Sequence, residues 1–289
     1  MSTLDFSTFH SRLHLVGTLT LETALRIGAG KSTEAAGPDL PVVKDALHRP
    51  YIPGSSFKGV LRSWLEATLR TLRNDLACDL FTKEDNPVSV KGICLTMNDA
   101  KSQDGTTIVK GVKTLKEDFK DNTEGLSDLL WQRSCRICRL FGAPWLASKV
   151  LVKDLQVVEP WFDQWYLLRD GVGIDRDTET AAPGLKYDLE AVPAGTSFTF
   201  ELMVENATAA EKGLVLLGLR EFEHGHLPIG GGRSRGLGWV QLAIDWEKSG
   251  YVDKDSLPDY LHTGEMAKIE EETRKEWLES FWAEVKPHA

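Results

Sequence analysis

The chain has 289 residues, a formal net charge of −9 and an apolar content of 42%, and it carries no apolar run of the roughly 18 residues that a membrane span takes. That length gives one large domain, or a domain with an insertion, and a sizeable core. An acidic total argues at first against a nucleic-acid partner, but 12 acidic and 6 basic residues from Asp245 onward supply −6 of it, so the remainder carries only −3 and can hold a local basic groove. The opening stretch MSTLDFSTFHSRLHLV lacks the basic start and apolar run of a signal peptide, so a cytoplasmic protein is expected.

His14 to Ile27 alternates Leu, Val and Thr and reads as a strand or a bent pair of strands. The following GAGKST invites a P-loop reading, but Leu25 stands where the motif needs its first glycine, and Gly37, Pro38 and Pro41 break the helix that should follow. Asp39 to Asp45 is a short extended segment. In Tyr51 to Arg62, YIPGSSFKGVLR, Pro53-Gly54 closes an extended piece, and Ser55 and Ser56 are N-cap candidates. Phe57, Leu61, Trp64, Leu65, Leu69 and Leu72 then fall at helical spacing, which predicts a helix of roughly 18 residues. Lys58 and Arg62 share one face of its first two turns, where cations oppose the helix dipole unless an anion is bound. Free N–H groups plus two cations suit a phosphate; a solvated helix start paired with surface carboxylates is the plainer alternative.

Asn74 to Phe141 has little periodicity and reads as an insertion. It holds Cys78, Cys94, Cys135 and Cys138 within 61 residues. An even cysteine count in a cytosolic protein does not imply disulfides. Cys135-x2-Cys138 is one half of a thiolate zinc site, and Cys78 and Cys94 are candidates for the other half. No histidine lies between His48 and His224, so four thiolates are the natural closure around Zn²⁺. Plain buried thiols remain an alternative, and so does redox chemistry, although the CxxC does not open a helix after a strand.

Lys149 to Val158 alternates as a strand. Arg169 to Gly195 is rich in Gly, Pro, Asp and Thr; loops of 27 residues are usually functional or disordered. Thr196 to Val204 reads as a strand, Ala207 to Phe222 as a helix, and Trp239 to Trp246 as a closing strand. Between the last two lies PIGGGRSRGLG, with five glycines from Gly230 to Gly238. There the bare backbone of Gly231, Gly232 and Gly236 permits close approach to a phosphate, and Arg233 and Arg235 flanking Ser234 can fork onto its oxygens. A wide hairpin turn with solvated arginines is the alternative. Met266, Ile269, Trp277, Phe281 and Val285 predict an amphipathic helix in the tail, packed on its own domain or docked on a partner. The order is the βαββαβ pattern of an α+β, ferredoxin-like fold. The expected division is an RRM-like core of residues 1–73 and 142–248, an insertion of 74–141, and a tail of 249–289.

Four stretches together carry a family resemblance: DLPVVKDALHRPYIPGSSFKGVLRS at 39–63, CRLFG at 138–142, GVGIDRDTETAAPGLKYD with AGTSFTFEL across 171–202, and PIGGGRSRGLG at 228–238. With these the sequence resembles the RAMP superfamily of CRISPR-associated proteins, specifically the backbone subunit of type III interference complexes. The match spans most of residues 14–246 and leaves out the tail.

The resemblance implies an RRM-like core that stacks along a guide RNA (crRNA), with Ser55, Ser56, Lys58, Arg62 and Gly231 to Gly236 on the guide backbone. It implies a β-hairpin thumb over about 169–195, including Ile174, Asp175, Arg176 and Thr178, which presses between bases held by a neighbouring subunit. It implies that Asp39 cuts a complementary single-stranded target RNA with Mg²⁺ or another divalent cation. The CxxC before LFG resembles the zinc-knuckle variants of III-D and III-E systems. Expected partners are crRNA, target RNA and other CRISPR-associated subunits, with no membrane. A carboxylate holding a metal ion can activate the 2′-OH of RNA, while a turn-forming aspartate is the plainer reading of Asp39. Two other functions fit the same text: a purely structural backbone subunit, and a guide-processing RAMP endonuclease using His10, His14 or His48 in metal-independent acid–base chemistry.

Overall fold

β1 (Ser11–Leu21) is the strand on which the sheet is built. Its buried side chains alternate with partly exposed ones, so Leu13, Leu15, Leu19 and Leu21 face the core. The computed structural model describes residues 6, 8–30, 38–73, 76–78, 94–101, 108–158, 162 and 165–285. After β1 come β2 (Tyr51–Ile52), α1 (Gly54–Leu72), β3 (Ala100–Lys101), β4 (Ile108–Val109), α2 (Val112–Asp118), α3 (Thr123–Gln132) and α4 (Arg136–Phe141). Then follow β5 (Val150–Val152), β6 (Leu155–Gln156), β7 (Leu167–Ile174), β8 (Ala181–Ala191), β9 (Ser197–Glu205) and α5 (Ala209–Glu223). The chain ends with β10 (Val240–Ile244), β11 (Gly250–Asp253), α6 (Leu257–Thr263), β12 (Ala267–Lys268) and α7 (Glu271–Val285).

β9 pairs along one edge of β1 and carries β5 on its far side. The other edge of β1 is shared: β10 takes Gly17 to Leu21 and β11 takes Ser11 to His14, with all pairings antiparallel. The order β1-α1-β5-β9-α5-β10 with spatial order β5-β9-β1-β10 is the ferredoxin-like arrangement. Helices α1 and α5 supply the second layer. The Phe57 ring stacks on Phe222 at 4.5 Å and tilts against Phe200 at 5.1 Å. Burying each such ring contributes about 1.5–3 kcal/mol. Gly218 of α5 is glycine for a steric reason, since a Cβ there would collide with Leu61 Cδ1.

An ion pair is buried in the core. Lys149 Nζ meets Glu211 at 2.7 Å with both side chains buried, and Glu211 also closes a capping box with Thr208 at the start of α5.

Several elements differ from the sequence reading. The first strand stops at Leu21 rather than running to Ile27; Leu25 and Gly28 make only isolated bridges, to Val192 and Val42. Lys31 to Thr33 of the P-loop-like text lie outside the described residues. Ser55 and Ser56 do not cap α1: the N-cap position is Pro53, and the Gly54 N–H donates to Asp154 Oδ1 at 2.8 Å, so a carboxylate from the β5–β6 connection does the capping. The single strand expected over 149–158 is two short pieces with different partners, β5 on β9 and β6 on β2. Arg169 to Gly195 is not the loop its composition suggests; most of it forms the antiparallel hairpin of β7 and β8, as the family resemblance implied. In the tail, β11 and β12 extend the sheet, while Trp277, Phe281 and Val285 of α7 are buried in the main core. The described parts of 74–141 hold a small core of their own around Leu95, Val112, Leu115 and Leu130. Among the described residues no helix is long and apolar enough to cross a membrane.

Candidate nucleic-acid interface and thiolate centre

The Gly-rich loop leaves α5 a few residues after Phe222, the ring that stacks on Phe57 in the first turn of α1. The helix start and the loop are therefore launched from the same end of the helical layer. Within the loop, Gly232 (φ 76°) and Gly236 (φ 78°) are left-handed and bracket a single 3₁₀ turn, Arg233–Arg235. Only glycine adopts these angles without cost, and the turn holds Arg233, Ser234 and Arg235 out in solvent. At its near end the Gly231 N–H donates to the Arg26 carbonyl at 2.8 Å, and Gly238 N–H donates to Ala24 O at 2.9 Å.

Arg26 was not singled out from sequence. Its guanidinium lies between two bare backbones: a Cβ on Gly28 would be 3.3 Å from Nη2, and a Cβ on Gly231 would be 3.3 Å from Nη1. Its Nε is buried and makes no hydrogen bond among the described residues. A buried cationic donor without a partner is costly unless an anion completes it. The nearby text GAGKST drew attention to a different glycine pattern, and only the fold brings residue 26 against residue 231.

The hairpin base joins this cluster. Arg235 Nη1 donates to Tyr187 Oη at 2.6 Å, and the neighbouring Asp188 N–H donates to Asp39 Oδ2 at 3.0 Å. Leu40 bridges Leu189 in parallel, which fixes Asp39 beside β8. Asp188 Oδ1 is buried with no hydrogen-bond partner among the described residues. Asp188 was legible only as part of the KYD end of the third resembling stretch.

At the other end of the hairpin, Ile174, Asp175, Arg176 and Thr178 are exposed. The tip is closed by Asp175 N–H to Thr180 O and Asp177 N–H to Asp175 Oδ1, both at 2.8 Å. Leu168, Val172 and Ile174 leave apolar side chains in water along β7, as a surface made for contact does.

The α1 residues divide. Ser55 is exposed and Ser56 half-buried. Lys58 Nζ points into the fold, donating to Ser148 Oγ at 2.7 Å and the Val150 carbonyl at 2.9 Å. Burial, and then the Arg62 charge, push its ammonium pKa down. Arg62 is likewise engaged, with Glu66 at 2.7 Å, the Gly142 carbonyl at 2.9 Å and Cys138 Sγ at 3.8 Å. The histidines are not gathered: His14 bonds Glu201 on the sheet at 2.9 Å, His10 precedes β1, and His48 sits in a turn.

Arg62 leads to the cysteines. Cys135 is the N-cap of α4 and accepts from the Cys138 N–H, after a helix rather than a strand. Cys78 Sγ lies 3.4 Å from Cys138 Sγ, and Cys94 Sγ lies 3.7 Å from it. All four sulfurs fall within 4.8 Å of one another, and none is in a disulfide. Tetrahedral zinc with bonds of about 2.3 Å places its sulfurs about 3.8 Å apart, so the four thiols fit that ion. Backbone N–H groups already point at the sulfurs, from Cys135 to Cys94 at 3.1 Å and from Cys78 to Cys135 at 3.4 Å, the outer bonds that tune such sites. Hydrogen bonds from Cys138, Cys78 and Cys94 drive Cys135 towards the thiolate, while the other three, hydrogen-bonded to Cys135, are pushed up.

A ferredoxin-like sheet, a left-handed Gly-rich loop beside it and a cysteine-bearing insertion define a class that the family comparison identifies. The RAMP superfamily model matches residues 18–241, and the chain belongs to that superfamily. Within it, the chain is similar to the "CRISPR system Cms endoribonuclease Csm3" of Methanocaldococcus jannaschii, 27% identical with 81% of this chain and 80% of the relative covered. The protein of the same name from Methanothermobacter thermautotrophicus is 28% identical, with 81% and 84% covered. A shorter stretch of 61 residues is 48% identical to the Mycobacterium tuberculosis protein of that name, covering 20% of this chain.

Proposed function

We propose that this chain is a guide-RNA-binding backbone subunit of a type III CRISPR interference complex that cleaves guide-paired target RNA at Asp39. The observation that carries the reading is the junction of three elements: the Gly-rich loop, the hairpin base and Asp39 meet through the Arg235–Tyr187 and Asp39–Asp188 contacts. Relatives named as endoribonucleases support the activity.

In this reading Arg26, Arg233, Ser234 and Arg235 bind phosphates together with the backbone N–H groups from Gly231 to Gly236. Ser55 and Ser56 offer hydroxyls at the helix start, while Lys58 and Arg62 act from behind, Lys58 fixing that start against Ser148 and Val150 and Arg62 against Gly142 and Cys138. The hairpin, as the thumb, carries Ile174, Asp175, Arg176 and Thr178 to RNA held by a neighbouring subunit. Residues 1–73 and 142–248 form the RNA-binding core and 74–141 the zinc insertion, and the Cys135-x2-Cys138 pair before Leu140-Phe141-Gly142 favours a III-D- or III-E-like complex. A divalent cation held by Asp39 would supply charge neutralisation at the scissile phosphate. The chain's own part is to hold that phosphate and the attacking 2′-OH in line.

The test is a target-cleavage assay on the complex assembled with crRNA. Wild type is expected to cut at regular intervals in Mg²⁺ and not in EDTA, and Asp39→Ala to lose cutting while retaining target binding. Cutting by Asp39→Ala at the wild-type rate would remove the catalytic role, and a wild type that binds without cutting would make the chain a structural subunit.

A further inference from the structure

One more cluster of ligand-type side chains is assembled at the exit of α5. Glu221 lies in the last turn of that helix, His224 is its C-cap, and His226 follows two residues on. Gly225 is left-handed at φ 70°. The turn it makes sends the His226 N–H back to the Glu221 carbonyl at 2.9 Å and the Gly225 N–H to Phe222 O at 3.2 Å, the two bonds of a Schellman closure. The reversal folds His226 over the helix end, so that its Nδ1 lies 3.2 Å from Glu221 Oε2 and its ring centroid 5.5 Å from that of His224.

We propose that Glu221, His224 and His226 form a second metal site, taking a divalent transition ion of the Zn²⁺ class. One ligand atom from each lies within 4.8 Å of the others. Tetrahedral bonds of about 2.0–2.2 Å to nitrogen and oxygen place ligand atoms roughly 3.4 Å apart, so exposed side chains need to close by at most about 1.4 Å. Two imidazoles with one carboxylate suit zinc, nickel or copper, whereas Mg²⁺ and Ca²⁺ take all-oxygen sets. A further carboxylate faces the turn, since a Cβ on Gly225 would be 3.2 Å from Glu22 Oε2. The backbone is already fixed by the helix end, and His224 and His226 remain open to solvent, so the ion has a path in and an open coordination position.

The location gives the site a consequence. It brackets Phe222, which anchors α5 on α1, and lies a few residues before Gly230, where the Gly-rich loop begins. An ion there ties the outgoing chain to the helix end and stiffens the base of the loop. The site does not depend on what the loop binds.

Zinc alone is the probe. Zn²⁺ bound per chain at saturation is counted by elemental analysis after equilibrium dialysis, for wild type and for His224→Ala/His226→Ala. The double variant is expected to bind one ion fewer, because the cysteine centre is common to both chains. Equal stoichiometry overturns the proposal. Should the double variant misfold by circular dichroism, Glu221→Gln gives a second measurement: calorimetric titration is expected to show the weaker of two Zn²⁺ sites losing about tenfold or more in affinity. An unchanged affinity, or a single Zn²⁺ site in wild type, likewise overturns it.

Discussion

Arg62 and Cys138, 76 residues apart in sequence, meet at 3.8 Å between Nη2 and Sγ. The same guanidinium holds the Gly142 carbonyl and Glu66. The third turn of the helix over the sheet is thereby locked to the thiolate centre of the insertion. Arg62→Met keeps the aliphatic stem and deletes these bonds. The expected result is a loss of about 1–3 kcal/mol in chemical denaturation and faster release of zinc to a chelator. Wild-type release kinetics in the variant would show that the guanidinium has no hold on the centre.

Cys138→Ser removes the sulfur that touches both Cys78 and Cys94. Structural zinc contributes its binding free energy to folding, so the variant is expected to lose tightly bound zinc. It should also lose several kcal/mol of stability, with early proteolysis in the 76–141 region. Full zinc content in this variant would rule out a four-thiolate site.

Lys149→Met leaves Glu211 buried and uncompensated, and breaking one side of such a pair costs about 3–5 kcal/mol. Adding Glu211→Leu should recover most of that. The remaining deficit should be about 1 kcal/mol, because Glu211 also serves the Thr208 capping box. Denaturant midpoints of the two variants check both statements.

Asp253 receives hydrogen bonds from the backbone and side chain of Ser256 at 2.9 and 2.8 Å, and these hold its carboxyl below the usual value of 3.8. A depressed folded-state pKa stabilises the fold above the unfolded value and is lost as pH falls through the folded one. Acid unfolding should therefore steepen below about pH 4, and Asp253→Asn should flatten that part of the curve while leaving its shape at neutral pH unchanged.

Asp39 is exposed, with one hydrogen bond to the Asp188 backbone. Asp39→Ala is expected to cost less than about 1 kcal/mol in a thermal melt, which makes lost cleavage in this variant a statement about chemistry rather than folding.

The core was legible where one face is buried. Phe57, Leu61, Leu65 and Leu69 gave α1 its helical spacing, and the alternation around Leu13 to Leu21 marked β1. The β7–β8 hairpin was legible only through the family resemblance and not through periodicity, because Leu168, Val172 and Ile174 are exposed and no single buried face imposes a period of two. β11 and β12 are too short to carry a pattern; β11 is held by pairing with β1 and β12 by pairing with β11. At the site, spacing set Lys58 and Arg62 on one face of α1. What they meet there, Cys138 in the insertion and Gly142, Ser148 and Val150 just beyond it, is brought up by the fold from 76 to 92 residues away in sequence. Arg26 and Asp188 were hidden for the same reason, since each acquires its role from a contact made by the fold.

The most direct test of RNA binding at the Gly-rich loop is fluorescence anisotropy of labelled crRNA against salt, for wild type and for Arg26→Ala/Arg233→Ala/Arg235→Ala. Wild-type affinity should fall steeply between about 50 and 200 mM salt, and the triple variant should bind more weakly with a slope shallower by about 2, as lost phosphate contacts release fewer counterions. A wild-type affinity indifferent to salt, or a triple variant with the wild-type affinity and slope, would contradict the assignment of this loop to the RNA backbone.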